Sequence, residues 1–126
     1  MRTRQIKIND EIARTAAEII RKEMKDPPVG EVVSVTKAEA TTDLKSCKIH
    51  VSIVGGEEER EKTMAALANA AGFVRKRIAE LVNLRQTPEI SFVYDDSIEY
   101  GMRMRKLIEE ANKGGGENEG NPENPA

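Results

Sequence analysis

Between Cys47 and Ile53, apolar and polar residues alternate without interruption. Cys47, Ile49, Val51 and Ile53 fall on one side of an extended strand, and Lys48, His50 and Ser52 on the other. Such a strand has one face for a core and one for solvent or a partner, as in a sheet covered on a single side. The rest of the chain must therefore supply further strands beside it and helices over its apolar face.

Those elements can be read in order. Ile8, Ile12, Ala16, Ile19, Ile20 and Met24, at spacings of three and four, predict a first helix. Asn9 is a candidate cap, with Asp10 and Glu11 near the positive end of the dipole. Pro27 and Pro28 predict a stop at Asp26. Glu31–Ala40, rich in Val and Thr, reads as a strand with blurred alternation. A turn at Thr41-Thr42-Asp43 would join it to the 47–53 strand as an antiparallel hairpin. After Gly55-Gly56, the acids Glu57, Glu58, Glu59 and Glu61 load the first turns of another helix, with Met64, Leu67, Ala68 and Ala71 as its apolar face. The pattern resumes beyond Gly72 with Val74, Ile78, Leu81 and Val82. Glycine inside a helix costs about 1 kcal/mol relative to alanine, so a kink is expected there. Pro88 precedes a third strand, Glu89–Tyr94, and Asp95-Asp96-Ser97 offers caps for a last helix carrying Ile98, Met104, Leu107, Ile108 and Ala111. The order is helix, strand, strand, helix-kink-helix, strand, helix. It predicts an α+β layer: a three-stranded sheet with helices on one face, plus a C-terminal helix.

Composition narrows the function. The 126 residues suit one domain, residues 1–113, followed from Gly114 by a Gly, Asn, Pro and Glu tail expected to be disordered. The tail's Glu117, Glu119 and Glu123 carry −3 of the formal −2, which leaves +1 for the domain. Any RNA role must then come from local clusters. One cysteine, Cys47, and one histidine, His50, leave no disulfide, thiolate cluster or histidine-rich metal site. No apolar run has the length of a membrane span, and the basic start lacks the apolar stretch of a signal peptide, so a soluble cytoplasmic protein without cofactor is expected. Aromatic residues are scarce, which weakens models built on base-stacking platforms.

Four segments, in order, carry a resemblance to the ribosome-binding factor A family over nearly all of residues 4–111. They are Lys25–Val29 (KDPPV), Thr42–Val51 (TDLKSCKIHV), Asn69–Arg75 (NAAGFVR) and Leu84–Ser97 (LRQTPEISFVYDDS), the last continuing to Gly101-Met102-Arg103. The resemblance implies a KH-like fold of type II topology, α-β-β-α-kink-α-β, in which the usual GxxG loop is replaced by an Ala-x-Gly kink, here Ala70-Ala71-Gly72. The middle position is often Ser in the family and is Ala71 here, so no hydroxyl is offered. It also implies a monomeric, non-catalytic maturation factor that binds the free small ribosomal subunit and 16S rRNA or its precursor. Such factors support processing of the 16S rRNA 5′ end, matter at low temperature, and are released by a ribosome-associated GTPase.

Within that frame the expected RNA contacts are Ala70, Ala71 and Gly72, where small side chains admit an RNA backbone. A helix start after the kink would add free amides for a phosphate. Arg75, Lys76 and Arg77 follow, although three adjacent helical residues span about 200° and cannot all reach one phosphate. Arg2, Arg4 and Lys7 at the N-terminus and Lys48 on the second strand complete the set. Each has a plainer reading: Gly72 packs against a neighbour, the cations are merely solvated, and Lys48 blunts a sheet edge. A third cluster, Arg103, Arg105 and Lys106, lies at pairing distances from Glu109 and Glu110. Asp95 and Asp96, adjacent at a strand end, point apart and form no convergent metal or catalytic pair. The alternative function is a protein-interaction module that docks on ribosomal proteins through the open sheet face. A small hydrolase is the third reading, disfavoured by the lack of a convergent catalytic set.

Overall fold

The alternating segment is the central strand of a three-stranded sheet of order β1-β2-β3, with β1 Val33–Ala40, β2 Ser46–Ile53 and β3 Glu89–Tyr94. The computed structural model describes residues 2–24 and 29–115, with side chains over 3–24 and 29–112. The chain divides into two compact units, Met1–Asp95 and Asp96–Ala126. In the first unit β1 pairs antiparallel with β2, and β2 pairs parallel with β3. Parallel neighbours need a long crossover, which α2, Glu57–Leu81, supplies.

Helices α1, Arg2–Glu23, and α2 cover the apolar sheet face. Ile12, Ala16, Ile19 and Ile20 of α1 and Leu67, Val74 and Ile78 of α2 bury against Ala38, Cys47, Ile49, Val51, Ile53 and Ile90. Fully burying side chains of this kind stabilises by about 1.5–3 kcal/mol each. The blurred alternation of β1 has a cause: the register shifts between Val35 and Lys37, so Thr36 and Lys37 are both exposed. Beyond the bulge Ala38 is buried again. Gly30, in the short 3-10 turn Val29–Glu31, lies where an added Cβ would sit 2.8 Å from the Arg21 Cα, so only glycine lets this turn approach α1.

Two expectations are corrected. The first helix begins at Arg2, not at an Asn9 cap. Asn9 lies one turn from Gln5, and its Oδ1 accepts the Ala40 amide at 3.0 Å while Gln5 Nε2 donates to the Ala40 carbonyl at 2.8 Å. The two side chains thus satisfy the outer edge of β1, the task that Asn9 performs in place of capping. The second correction is at Gly72: residues 57–81 form one uninterrupted helix where two segments meeting at a kink were expected. Thr63, Leu67, Val74 and Ile78 are all buried, at spacings of four, seven and four that keep one face in phase through the glycine. A cost of about 1 kcal/mol does not break a helix anchored on both sides of the weak point.

In the second unit α3 spans Ser97–Gly115, and the Asp96 carbonyl accepts the Tyr100 amide at 2.8 Å to open it. Tyr100, Met104, Leu107, Ile108 and Ala111 share one face of α3, and all are exposed. The expected helix stop at Asp26 before Pro27 and Pro28, and residues 116–126, most of the expected tail, lie outside the described residues.

Candidate nucleic-acid interface

The face of α2 opposite its core stripe is a smooth strip. Ala65, Ala68, Asn69, Gly72, Arg75, Lys76 and Ala79 recur at helical spacing and are all exposed, while Ala70 and Ala71 are half-buried at its flank. Ala68 therefore belongs to the solvent face and not to the apolar face assigned from the sequence; buried Thr63 takes part in the core stripe instead. A Cβ built on Gly72 would meet nothing within 4 Å. Packing against a neighbour does not explain this glycine, so the plainer reading of Gly72 falls.

The uninterrupted helix also changes the chemistry on offer. With no helix start after Gly72, the free amides expected there are absent, and any phosphate must be held by side chains. The three adjacent cations differ. Arg77 is bound inside the fold: Nε and Nη2 donate to the two Glu23 oxygens at 2.8 and 3.0 Å, and Nη1 donates to Glu80. These hydrogen bonds hold the Glu23 carboxyl below the ordinary carboxylate value and raise the Arg77 pKa. Its charge is neutralised, so it leaves the cationic set. Arg75 donates to the Pro88 and Thr87 carbonyls at 3.2 and 3.1 Å, which fixes its direction but leaves its charge uncancelled. Lys76 is exposed on the strip itself.

The remaining expected contacts are dispersed. Arg4 and Lys7 lie exposed on the first turns of α1, as a helical face and not as a loose arm. The Arg2 side chain lies outside the described residues. Lys48 is exposed on β2, which is the central strand, so blunting an edge is not its use. Beside it, His50 Nε2 lies 2.9 Å from Glu39 Oε1, and Lys37 Nζ lies 3.7 Å from Glu39 Oε2. Hydrogen bonding to His50, then the Lys37 charge, hold the Glu39 carboxyl below its ordinary value. In the second unit Arg103 and Lys106 are exposed, and the Arg103 guanidinium sits 5.9 Å from the Tyr100 ring centroid.

One residue escaped the sequence reading. Phe73 follows Gly72 and is 44% exposed, although a phenylalanine is ordinarily a core residue. Its ring offers a surface on which a splayed base can stack. The signal was its phase, one residue before the buried Val74 and thus off the core stripe.

Among the described residues no group of three or more His, Cys, Asp or Glu is placed to hold a metal. The Cys47 thiol is buried, and desolvation pushes its pKa up to about 11, the opposite of an activated nucleophile. Asp95 Oδ2 accepts the Thr36 hydroxyl at 2.7 Å, a bond that ties the β1 bulge to the end of β3. No described helix is long and apolar enough to cross a membrane.

Comparison with known proteins places this geometry. The family model for ribosome-binding factor A matches residues 4–108. A ribosome-binding factor A from Lachnospira eligens is 45% identical over 104 residues, covering 82% of this chain and 80% of that protein. The fold is similar to the crystal structure of ribosome-binding factor A from Thermus thermophilus, with a TM-score of 0.63 at 21% identity over 71% of this chain and 94% of that one. It is also similar to a homology model of the Thermus thermophilus factor fitted into a cryo-EM map of a 30S complex, with a TM-score of 0.57 at 22% identity over 70% and 91% of the two chains. This chain belongs to the ribosome-binding factor A family.

Proposed function

We propose that this protein binds the small ribosomal subunit by laying the exposed strip of α2 against the backbone of 16S rRNA. The observation that carries the reading is Gly72. It sits in the middle of a 25-residue helix, exposed, with open space where a side chain would be. Nothing in the described fold requires it, yet it weakens the helix by about 1 kcal/mol. A partner that comes close to the helix backbone gives it a use, and a sugar-phosphate chain is such a partner. Lys76 and Arg75 stand one turn further on the same face to neutralise phosphates, with Phe73 three residues before Lys76 on its flank for a base. The family's name and the Thermus fold fitted into a 30S complex support the ribosome as the place of binding.

The mechanism is binding and not turnover. Occupying a site on immature rRNA biases it toward one conformation by as much as the differential affinity for the two. On this reading the protein acts as a monomer late in small-subunit assembly. It supports maturation of the 16S rRNA 5′ end, matters most in the cold, where misfolded RNA is slow to rearrange, and leaves when a ribosome-associated GTPase acts.

Gly72→Leu and Lys76→Glu test the placement. Both alter exposed positions, so circular dichroism stays near wild type and neither urea midpoint falls; that of Gly72→Leu rises, since leucine favours a helix interior over glycine by nearly ~1 kcal/mol. Each is expected to weaken co-sedimentation with free small subunits by about tenfold or more, since each loses at least one close contact or charge worth about 1.5–3 kcal/mol. Unchanged co-sedimentation for both would remove α2 from the interface.

A further inference from the structure

We propose that a groove beside the first turns of α1 holds one unstacked nucleotide of single-stranded RNA, with its phosphate on Arg4, Lys7 and Arg85 and its base against Leu44 and Leu84. The groove lies between α1, the β1–β2 turn and the α2–β3 connection, and encloses about 600 Å³, within the range of pockets that bury small molecules, about 300–1,000 Å³. Among the described residues, three cations and a single acid, Glu11, line it. The ion pairs among the described residues involve none of the three cations. Helix α1 also has no acid in its first turn, where the dipole favours one by about 0.3–1 kcal/mol. Arg4, in that first turn, works against the helix that bears it, so folding does not account for it.

The wall opposite is pre-shaped. Leu44 has φ 59°, a left-handed conformation that costs a bulky residue about 1–2 kcal/mol. It is held there by its neighbours. The Thr41 hydroxyl donates to Asp43 Oδ1 at 2.7 Å and accepts the Lys45 and Ser46 amides at 3.2 Å, and Gln86 Nε2 donates to the Leu44 carbonyl at 3.1 Å. Strain held in place by such a network sets Leu44 in the lining of the groove, where Ile8 and Leu84 extend its apolar part. Thr42 and Asn83 add hydrogen-bonding groups suited to a base edge. Cations around an apolar floor match a nucleotide, whose phosphate and base need one each. An acidic peptide would use the cations and leave the floor idle. Bases within a duplex cannot enter such a groove, so the ligand is single-stranded.

The inference rests on the RNA-binding reading above and is tested apart from it. Hexauridylate, a self-paired RNA hairpin, uridine monophosphate and hexaglutamate are titrated into the full chain, following backbone amide shifts and fluorescence anisotropy. Hexauridylate is expected to shift the amides of Gln5, Ile8, Leu84 and Arg85, with uridine monophosphate shifting the same amides more weakly. The double variant Arg4→Ala/Arg85→Ala and the single variant Asn83→Glu should each weaken hexauridylate binding about tenfold. The double variant should also lower the salt slope by about 0.7 for each cation lost, which a structural defect would not do. Shifts confined to residues outside the groove overturn the proposal. So does equal binding by hexaglutamate or the hairpin, or binding of uridine monophosphate as tight as that of the hexanucleotide, which would assign the groove to free nucleotides. If the groove variants change nothing while Gly72→Leu still releases the small subunit, the pocket is wrong and the helix interface stands. If hexauridylate binds as described while Gly72→Leu keeps the subunit, the pocket stands and the helix interface is wrong.

Discussion

Arg75, Lys76 and Arg77 are adjacent and alike in sequence, yet the fold gives them three situations. Arg77 is shared between Glu23 and Glu80, Arg75 is aimed at two carbonyls, and Lys76 stands exposed on the helix face. Their azimuths explain the division, since steps of about 100° send consecutive residues to different neighbours. Arg77→Ala should therefore act on stability and leave RNA affinity near wild type. The pH dependence gives the signature. Arg77 lowers the folded-state pKa of Glu23 beneath its ordinary 4.5. The stability this contributes is complete above the unfolded value and is lost as pH falls through the folded one. Urea midpoints of the wild type should fall more steeply below about pH 4.5 than those of the variant, and parallel acid limbs would show that the pair contributes nothing. Asn9 shows the same limit of local reading. A side chain that bonds Ala40, 31 residues away, cannot be told from a helix cap until the strand is in place.

At the scale of elements, the layer order, the three strands and the helices over one sheet face were legible because each carried its period. β2 is the clearest: its exposed–buried alternation follows the sequence pattern residue by residue. β1 was blurred because a bulge at Thr36 breaks its period, and a bulge is set by the partner strand. The helix through Gly72 was misread because glycine was given more weight than phase. Leu67 and Val74 lie seven residues apart, about two turns, so the stripe never left the core. The proposed α2 strip takes up the positions expected from the sequence, Gly72 and the cations after it, but its surface geometry required the fold. A testable consequence belongs to this helix. Gly72→Ala adds a methyl group to open space and removes backbone freedom from the unfolded chain. It should stabilise the protein by about 1 kcal/mol, read as a raised urea midpoint at constant m-value. Were α2 bent at Gly72 in a way that alanine resists, the midpoint would fall instead.

For the whole molecule, the formal charge of −2 conceals a useful separation. Along the sequence, acid is concentrated at Glu117, Glu119 and Glu123 and at the start of α2, whereas the described lining of the groove carries three cations and one acid, so attraction to phosphate is local and binding should depend on which face is presented. The buried core of the first unit draws on residues 12–90. The first unit thus has its own hydrophobic core, and α3 is a 19-residue helix whose apolar face of Tyr100, Met104, Leu107 and Ile108 is exposed. Most of a helix's stability in proteins comes from packing of its amphipathic face, which this exposed face does not supply. It follows that ending the chain after Ser97 should leave the cooperative unfolding of the first unit intact. The m-value measures the surface exposed in that transition, so it should match that of the full chain, with the midpoint moved by no more than about 1 kcal/mol equivalent. A distinctly smaller m-value in the shortened chain would mean that α3 melts with the core and that the two units are one cooperative body. Co-sedimentation of the same shortened chain then separates the roles: binding kept places the ribosomal contacts on the α2 strip and the groove, and binding lost assigns a share of them to α3.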